Sequence, residues 1–94
     1  MEQQGNKDIL EMIENNFGEF VEELKGQRGY SLKDISDKTN LSPSFIFRLI
    51  KGYRGCELTT KLNILINGFG LEDQAEEYIK QVLQNKEQLK KITD

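Results

Sequence analysis

Residues 31–52 of this chain read SLKDISDKTNLSPSFIFRLIKG, and they predict two short helices joined by a tight turn. Ser31 is a good N-cap, and Asp34 three residues later places a carboxylate near the capping-box spacing. Asn40 follows the first helical segment, and asparagine tolerates the left-handed backbone conformation that a sharp turn requires. We therefore expect the first helix over about residues 32–38.

The second predicted helix covers residues 43–51, and both of its ends are marked in the sequence. Ser42 is its N-cap, and Pro43 stands at the first helical position, where a missing N–H costs no hydrogen bond. Gly52 ends the helix. Two helices across a turn of about three or four residues form a helix-turn-helix, whose second helix can lie in the major groove of DNA.

Apolar residues at helical spacing continue on both sides of this segment, at intervals of three and four residues. They are Ile9, Ile13, Phe17, Phe20, Val21 and Leu24 before it, and Leu58, Leu62, Leu65, Ile66, Ala75, Tyr78, Ile79, Val82 and Leu83 after it. Gly18 interrupts the first stripe, which leaves open one bent helix or two. The last helix is predicted to begin near Glu72 or Asp73. The pattern indicates an all-α fold, a compact bundle of about five helices.

The segment resembles the helix-turn-helix domains of the lambda-repressor-like (Cro/Xre-type) family. The resemblance is carried by Ser36 at the helix crossing, Asn40 at the turn, Leu41, Ile46 and Leu49 at inward positions, and Gly52-Tyr53-Arg54 after the second helix. It covers about residues 17–71 and implies a DNA-binding domain there. Residues 1–16 form a polar, acidic extension with room for an extra helix, and residues 72–94 form a C-terminal helix that could serve dimerisation.

The distribution of charge agrees with a nucleic-acid interface in the middle of the chain. The 94 residues carry a net charge of −3. Residues 25–61, however, hold eight Lys and Arg against three acids, whereas the segments before and after are net negative. Charge acts on phosphates within about 8–10 Å at physiological salt, so the local excess matters more than the total.

A helical wheel places three side chains of the second helix away from the core, where they are expected to contact bases: Ser44, Phe47 and Arg48. Arg48 can bond a guanine edge or a phosphate, and Phe47 offers an apolar face to a thymine methyl group. Phosphate contacts are expected from Ser42, Lys33, Lys51, Tyr53 and Arg54. Each polar residue has a plain alternative as a solvated surface group. Phe47 could equally pack on a loop or join a protein interface.

A single domain of this size buries too little surface to hold DNA tightly, and the resemblance implies a homodimer on a near-palindromic site. The last helix is the expected interface, through Tyr78, Val82, Leu83 and Leu89. The alternative is that residues 75–83 pack only on the core of their own domain.

The sequence lacks the residues that most enzymes and metal-binding or cofactor-binding proteins need. The chain has no His and one Cys, which excludes a histidine-based triad and a zinc cluster, and it has no Gly-rich phosphate loop. We therefore expect no catalysis, no cofactor, no metal and no small-molecule ligand. No apolar run approaches about 18 residues, and the acidic N-terminus is unlike a signal peptide, so we expect a cytoplasmic protein.

These observations predict a sequence-specific DNA-binding transcriptional regulator of the bacterial or phage type, with repression as the expected action and double-stranded DNA as the partner. A second hypothesis is a protein-interaction module on the same scaffold, such as an antirepressor. It is motivated by the acidic ends of the chain and by the apolar second helix, which contains Phe45, Ile46, Phe47, Leu49 and Ile50.

Overall fold

A computed structural model describes the backbone of residues 2–93 and the side chains of residues 8–86. Within that backbone the chain forms six α-helices and one π-helical segment, with no strand. They are α1 (Glu2–Asn15), α2 (Phe17–Arg28), α3 (Leu32–Thr39), α4 (Pro43–Ile50), α5 (Leu58–Asn63), the π segment (Ile64–Gly68) that continues α5, and α6 (Glu72–Thr93). The all-α prediction is confirmed. None of the helices described is both long and apolar enough to span a membrane.

The apolar stripe at the start of the chain divides into two helices at Asn16. This residue has φ −137° and ψ 46°, outside the helical region, so the chain changes direction between α1 and α2. α1 packs on α2 and α6, and its Ile13 is completely buried. The first helix is therefore part of the same body as the rest of the fold.

The predicted ends of α3 and α4 are confirmed. Ser31 Oγ accepts a hydrogen bond from the Asp34 N–H at 3.0 Å, and the Asp34 carboxylate accepts one from the Ser31 N–H at 2.8 Å. The latter bond is the main reason that the pKa of Asp34 is lowered. Ser42 Oγ accepts from the Phe45 N–H at 3.1 Å. Between the helices, Asn40 has φ 63°, in the left-handed region that the turn requires.

One apolar core joins all the helices and the π segment, and α5 contributes to it only through the partly buried Leu62. Its buried members are Ile13, Phe17, Phe20, Val21, Leu24, Ile35, Ile46, Leu49, Ile64, Leu65, Phe69, Ala75 and Tyr78. α4 crosses α2 at Gly18, where an added Cβ atom would overlap the carbonyl oxygen of Leu49. Glycine is needed at this point because it lets the two backbones touch. The crossing positions α4 so that its other side faces outward.

The π segment closes the body behind α3. Asn63, the last residue of α5, donates a hydrogen bond from its side chain to the Thr39 carbonyl at 2.9 Å. Gly68 lies against the buried Thr39, since an added Cβ atom would stand 3.3 Å from the Thr39 methyl group. The spacing of Leu58, Leu62, Leu65 and Ile66 predicted an ordinary α-helix here. The chain instead widens to π geometry before it ends.

Candidate nucleic-acid interface

α4 buries one side and exposes the other, as the helical wheel predicts. Ile46 and Leu49 belong to the core, and Phe45 and Ile50 are partly buried beside them. The three residues on the opposite side, predicted to contact bases, are all exposed: Ser44, Phe47 and Arg48. The short polar turn before α4 leaves this side open to solvent.

A shallow depression of about 410 Å³ lies beside Arg48. Its wall on α3 is Leu32, and its walls on α4 are Pro43, Ser44 and Phe47. Arg48 takes part in none of the ion pairs found among residues 8–86. Its guanidinium group is therefore an exposed donor next to apolar side chains, and Leu32 is a member of this site that was not predicted.

Phe47 belongs to a cluster of three exposed side chains at the end of α4, which we call the Phe47 cluster: Phe47, Lys51 and Tyr53. The Phe47 and Tyr53 rings meet edge to face, with centroids 6.5 Å apart and planes at 70°. The Lys51 ammonium lies 5.7 Å from the Phe47 ring centroid. Phe47 is 45 % exposed and Tyr53 is 73 % exposed. The cluster presents aromatic surface and one positive charge together.

Arg54 is held close to α4 by a second aromatic contact. Its guanidinium carbon lies 4.2 Å from the centroid of the Phe45 ring. Its Nε also donates a hydrogen bond to the Gly55 carbonyl at 3.3 Å. The residue remains exposed, so the guanidinium group keeps free N–H donors while its position is restricted.

The two remaining predicted phosphate contacts are partly engaged within the chain. Ser42 uses its hydroxyl oxygen as the N-cap of α4 and retains its O–H as a donor. Lys33 pairs with Asp37 on the same face of α3, with 3.1 Å between Nζ and the carboxylate oxygen. Both side chains are exposed, and such pairs contribute about 0–1 kcal/mol, so a phosphate can compete for Lys33.

The predicted dimer residues occupy different environments. Tyr78 is only 3 % exposed and belongs to the core of its own chain, so its place in a dimer interface was wrongly predicted. Val82 is partly buried against that core, whereas Leu83 is 54 % exposed. The side chain of Leu89 lies outside the described residues. The first turns of α6 therefore serve the core, which agrees with the alternative prediction at Ala75 and Tyr78 but not at Leu83.

A polar cluster at the edge of the core escaped the sequence analysis. The Tyr78 hydroxyl donates a hydrogen bond to the Glu14 carboxylate. Lys61 donates from Nζ to the Tyr78 oxygen at 3.2 Å and to the Glu14 carbonyl at 3.3 Å. Burial, followed by the bond to Glu14 and its charge, raises the pKa of Tyr78. Lys61 therefore faces inward and does not contribute to the cationic surface of α4.

Three features of the described residues lie together at α4: an exposed arginine, a depression beside it with both apolar and polar walls, and a cationic and aromatic cluster at the end of the helix. Such a surface offers donors to base edges and phosphates together with an apolar contact. Comparison of the chain with protein-family models, with curated proteins and with solved structures finds no match.

Proposed function

We propose that this chain is a sequence-specific DNA-binding transcriptional regulator, with repression as its expected action, in which α3 and α4 form a helix-turn-helix. The observation that carries the proposal is the outward side of α4, where the exposed Arg48 lines the depression together with Phe47, a member of the Phe47 cluster. In the proposed complex, α4 enters the major groove of double-stranded DNA.

The connection between α3 and α4 supports the motif. Only residues 40–42 separate the two helices, and the left-handed backbone of Asn40 makes the turn. Ser42 then starts α4 at once by capping it. Short connections of this kind fix the angle between the helices of a helix-turn-helix. The contact of α2 with α4 at Gly18 supports α4 from behind.

The chemistry of each exposed side chain gives it a role in this proposal. Arg48 would read a guanine through its O6 and N7 atoms, and Ser44 would bond a base edge. Lys51 and Arg54 would neutralise phosphates at the end of α4. Both cations already lie over aromatic rings, so less freedom is lost when a phosphate binds. Tyr53, Ser42 and Lys33 would add donors to the DNA backbone.

We also propose that two copies of the chain bind together, through α6 beyond Tyr78. Leu83 is the exposed apolar side chain that this helix offers within the described residues. Two recognition helices related by a two-fold axis would match a near-palindromic site about one turn of DNA apart.

Retention on immobilised double-stranded DNA at low salt tests the proposal. The chain should bind and elute as salt rises, and the triple variant Arg48→Ala, Lys51→Ala, Arg54→Ala should pass through. A control that removes the same charge elsewhere, Lys25→Ala, Lys80→Ala, Lys86→Ala, should still be retained. A wild-type chain that passes through, or a triple variant retained as well as the control, would show that α4 is not the DNA interface.

The exposed aromatic pair of Phe47 and Tyr53 favours a second candidate, a protein-interaction module. Aromatic side chains with partial exposure are frequent anchors of protein interfaces. This candidate predicts no salt-dependent retention on DNA. It also predicts a complex with another regulator that survives Arg48→Ala and is lost with Phe47→Ala.

A further inference from the structure

We propose that the depression between α3 and α4 binds the C5 methyl group of a thymine, in a base pair adjacent to the guanine that Arg48 reads. This inference rests on the proposed function, and it names the base step that the same site recognises.

The lining of the depression matches a methyl group. Leu32, Pro43 and Phe47 supply apolar walls, and Ser44 and Arg48 supply the polar part of the lining. In the major groove the thymine methyl is the apolar group that a base pair presents, whereas adenine and cytosine present amino groups. An amino group against these walls would lose its hydrogen bonds to water, which disfavours it. The apolar walls therefore select thymine.

The Phe47 ring is held in position before DNA arrives. Tyr53 meets it edge to face, and the Lys51 ammonium lies 5.7 Å from its centroid. A side chain fixed by its neighbours loses little freedom when a ligand covers it. Phe47 is still 45 % exposed, so a methyl group placed against it removes apolar surface from water.

The spacing of the two side chains places them on neighbouring base pairs. Phe47 and Arg48 are consecutive in α4, so their Cα atoms are about 3.8 Å apart. Base pairs in DNA follow one another at about 3.4 Å along the axis. Both side chains line the same depression, so their contacts on DNA are expected to lie close together. Arg48 therefore reads the pair next to the one that Phe47 contacts.

Arg48 also distinguishes thymine from 5-methylcytosine, which carries the same methyl group. Beside its methyl group thymine presents the O4 acceptor, whereas cytosine presents an N4 donor. The guanidinium group of Arg48 has donors only. A donor next to the depression therefore favours thymine, and we commit the site to that base.

Selection of bound duplexes from a random double-stranded pool, with the full 94-residue chain, provides the sites for the test. The enriched site should contain thymine next to guanine in each half. Replacing that thymine by uracil removes the methyl group alone and should weaken wild-type binding about fourfold per half-site, the effect of one buried methyl group. Replacement by a pair containing 5-methylcytosine should not restore the affinity.

The Phe47→Ala variant should bind the thymine and uracil duplexes equally. Ile66→Ala, which alters a 37 % exposed apolar residue of the π segment, should keep the fourfold ratio. The comparison of thymine with uracil uses the wild-type chain and decides the question even if Phe47→Ala fails to fold. Equal wild-type affinity for both duplexes, or an enriched site without the step, overturns this inference alone. Failure to bind any duplex overturns the proposed function as well.

Discussion

The carbonyl oxygen of Leu49 in α4 lies directly against the backbone of Gly18 in α2, with no room for a side chain between them. Leu49 is the neighbour of Arg48 in the sequence. The contact therefore fixes the depth and the angle of α4 next to the side chain that we expect to read DNA. A glycine in α2 thus determines how α4 is oriented on the surface of the fold.

Gly18→Ala should destabilise the fold. Alanine adds up to about 1 kcal/mol of helix propensity, but its Cβ atom would collide with the Leu49 carbonyl, and overpacking costs about 1–3 kcal/mol. We expect a net loss in the free energy of unfolding, measured by urea denaturation. Gly26→Ala in the same helix is the control, because its Cβ atom would meet nothing within 4 Å. A stable Gly18→Ala variant would mean that α4 does not rest on α2 at this point.

Asn40→Val should destabilise the turn between α3 and α4. Asn40 has φ 63°, in the left-handed region. This conformation costs about 1–2 kcal/mol for an ordinary L-residue, and it is especially unfavourable for a residue with a branched Cβ atom, such as valine. Asn40→Gly should leave the free energy of unfolding nearly unchanged, since glycine adopts this conformation freely. Equal stability of the valine and glycine variants, measured by thermal denaturation, would contradict the left-handed turn.

Stability should decline at alkaline pH because of Tyr78. Its pKa is raised in the folded chain, so the folded state holds a proton that the unfolded state releases above its ordinary pKa of 10.0. The contribution is fully present below that pH and is lost as the pH rises toward the folded pKa. Urea denaturation at several pH values should show a decline that Tyr78→Phe flattens. The Tyr53→Phe variant, which leaves Tyr78 in place, should show the same decline in stability as the wild-type chain. An identical decline in both variants would remove Tyr78 as the cause.

Arg48 and Lys51 should affect DNA binding in different ways. Arg48→Ala should weaken binding to the selected site by about 1–3 kcal/mol and relax its sequence preference. Lys51→Ala should weaken all sequences alike and reduce the slope of log affinity against log salt by about one. Titration of labelled duplexes at several salt concentrations measures both. A uniform loss with Arg48→Ala would reassign Arg48 to the DNA backbone.

Leu83→Glu should separate the proposed homodimer into monomers. It places a charge on the exposed apolar residue of α6, and a charge buried without a partner opposes association. Gln84→Glu adds the same charge one position away, and we expect that variant to remain dimeric. Sedimentation of all three chains measures the change. A wild-type chain that stays monomeric with and without DNA would remove the dimer from the proposal.

The sequence predicted those parts of the fold that depend on residues close together in the chain. The caps at Ser31 and Ser42, the turn at Asn40 and the outward side of α4 all follow from contacts within about one helical turn. Contacts between distant segments leave no such pattern. Lys61 bonds to a carbonyl 47 residues away, and Tyr78 bonds to a carboxylate 64 residues away.

Two residues show how tertiary contacts changed a local interpretation. Gly18 was expected to interrupt a helical stripe and so to bend or divide a helix, whereas it is the point where two helices touch. Tyr78 was expected at a dimer surface because it lies on the apolar stripe of α6. Its hydroxyl bonds to Glu14 and Lys61 at the edge of the core, which allows the rest of the side chain to be buried. Neither partner could be identified from spacing along the chain.

Glu14 fastens the first helix to both α5 and α6, through Lys61 and Tyr78, and Ile13 beside it fills the interior. Deleting residues 1–16 would strip Lys61 of a backbone acceptor, leave a void at the position of Ile13, and open the hydroxyl of Tyr78 to water. Through Ile13 and Glu14, α1 thus stabilises the bundle. We therefore expect a chain that lacks residues 1–16 to be less stable than the full chain, although the surface proposed to contact DNA lies on α3 and α4.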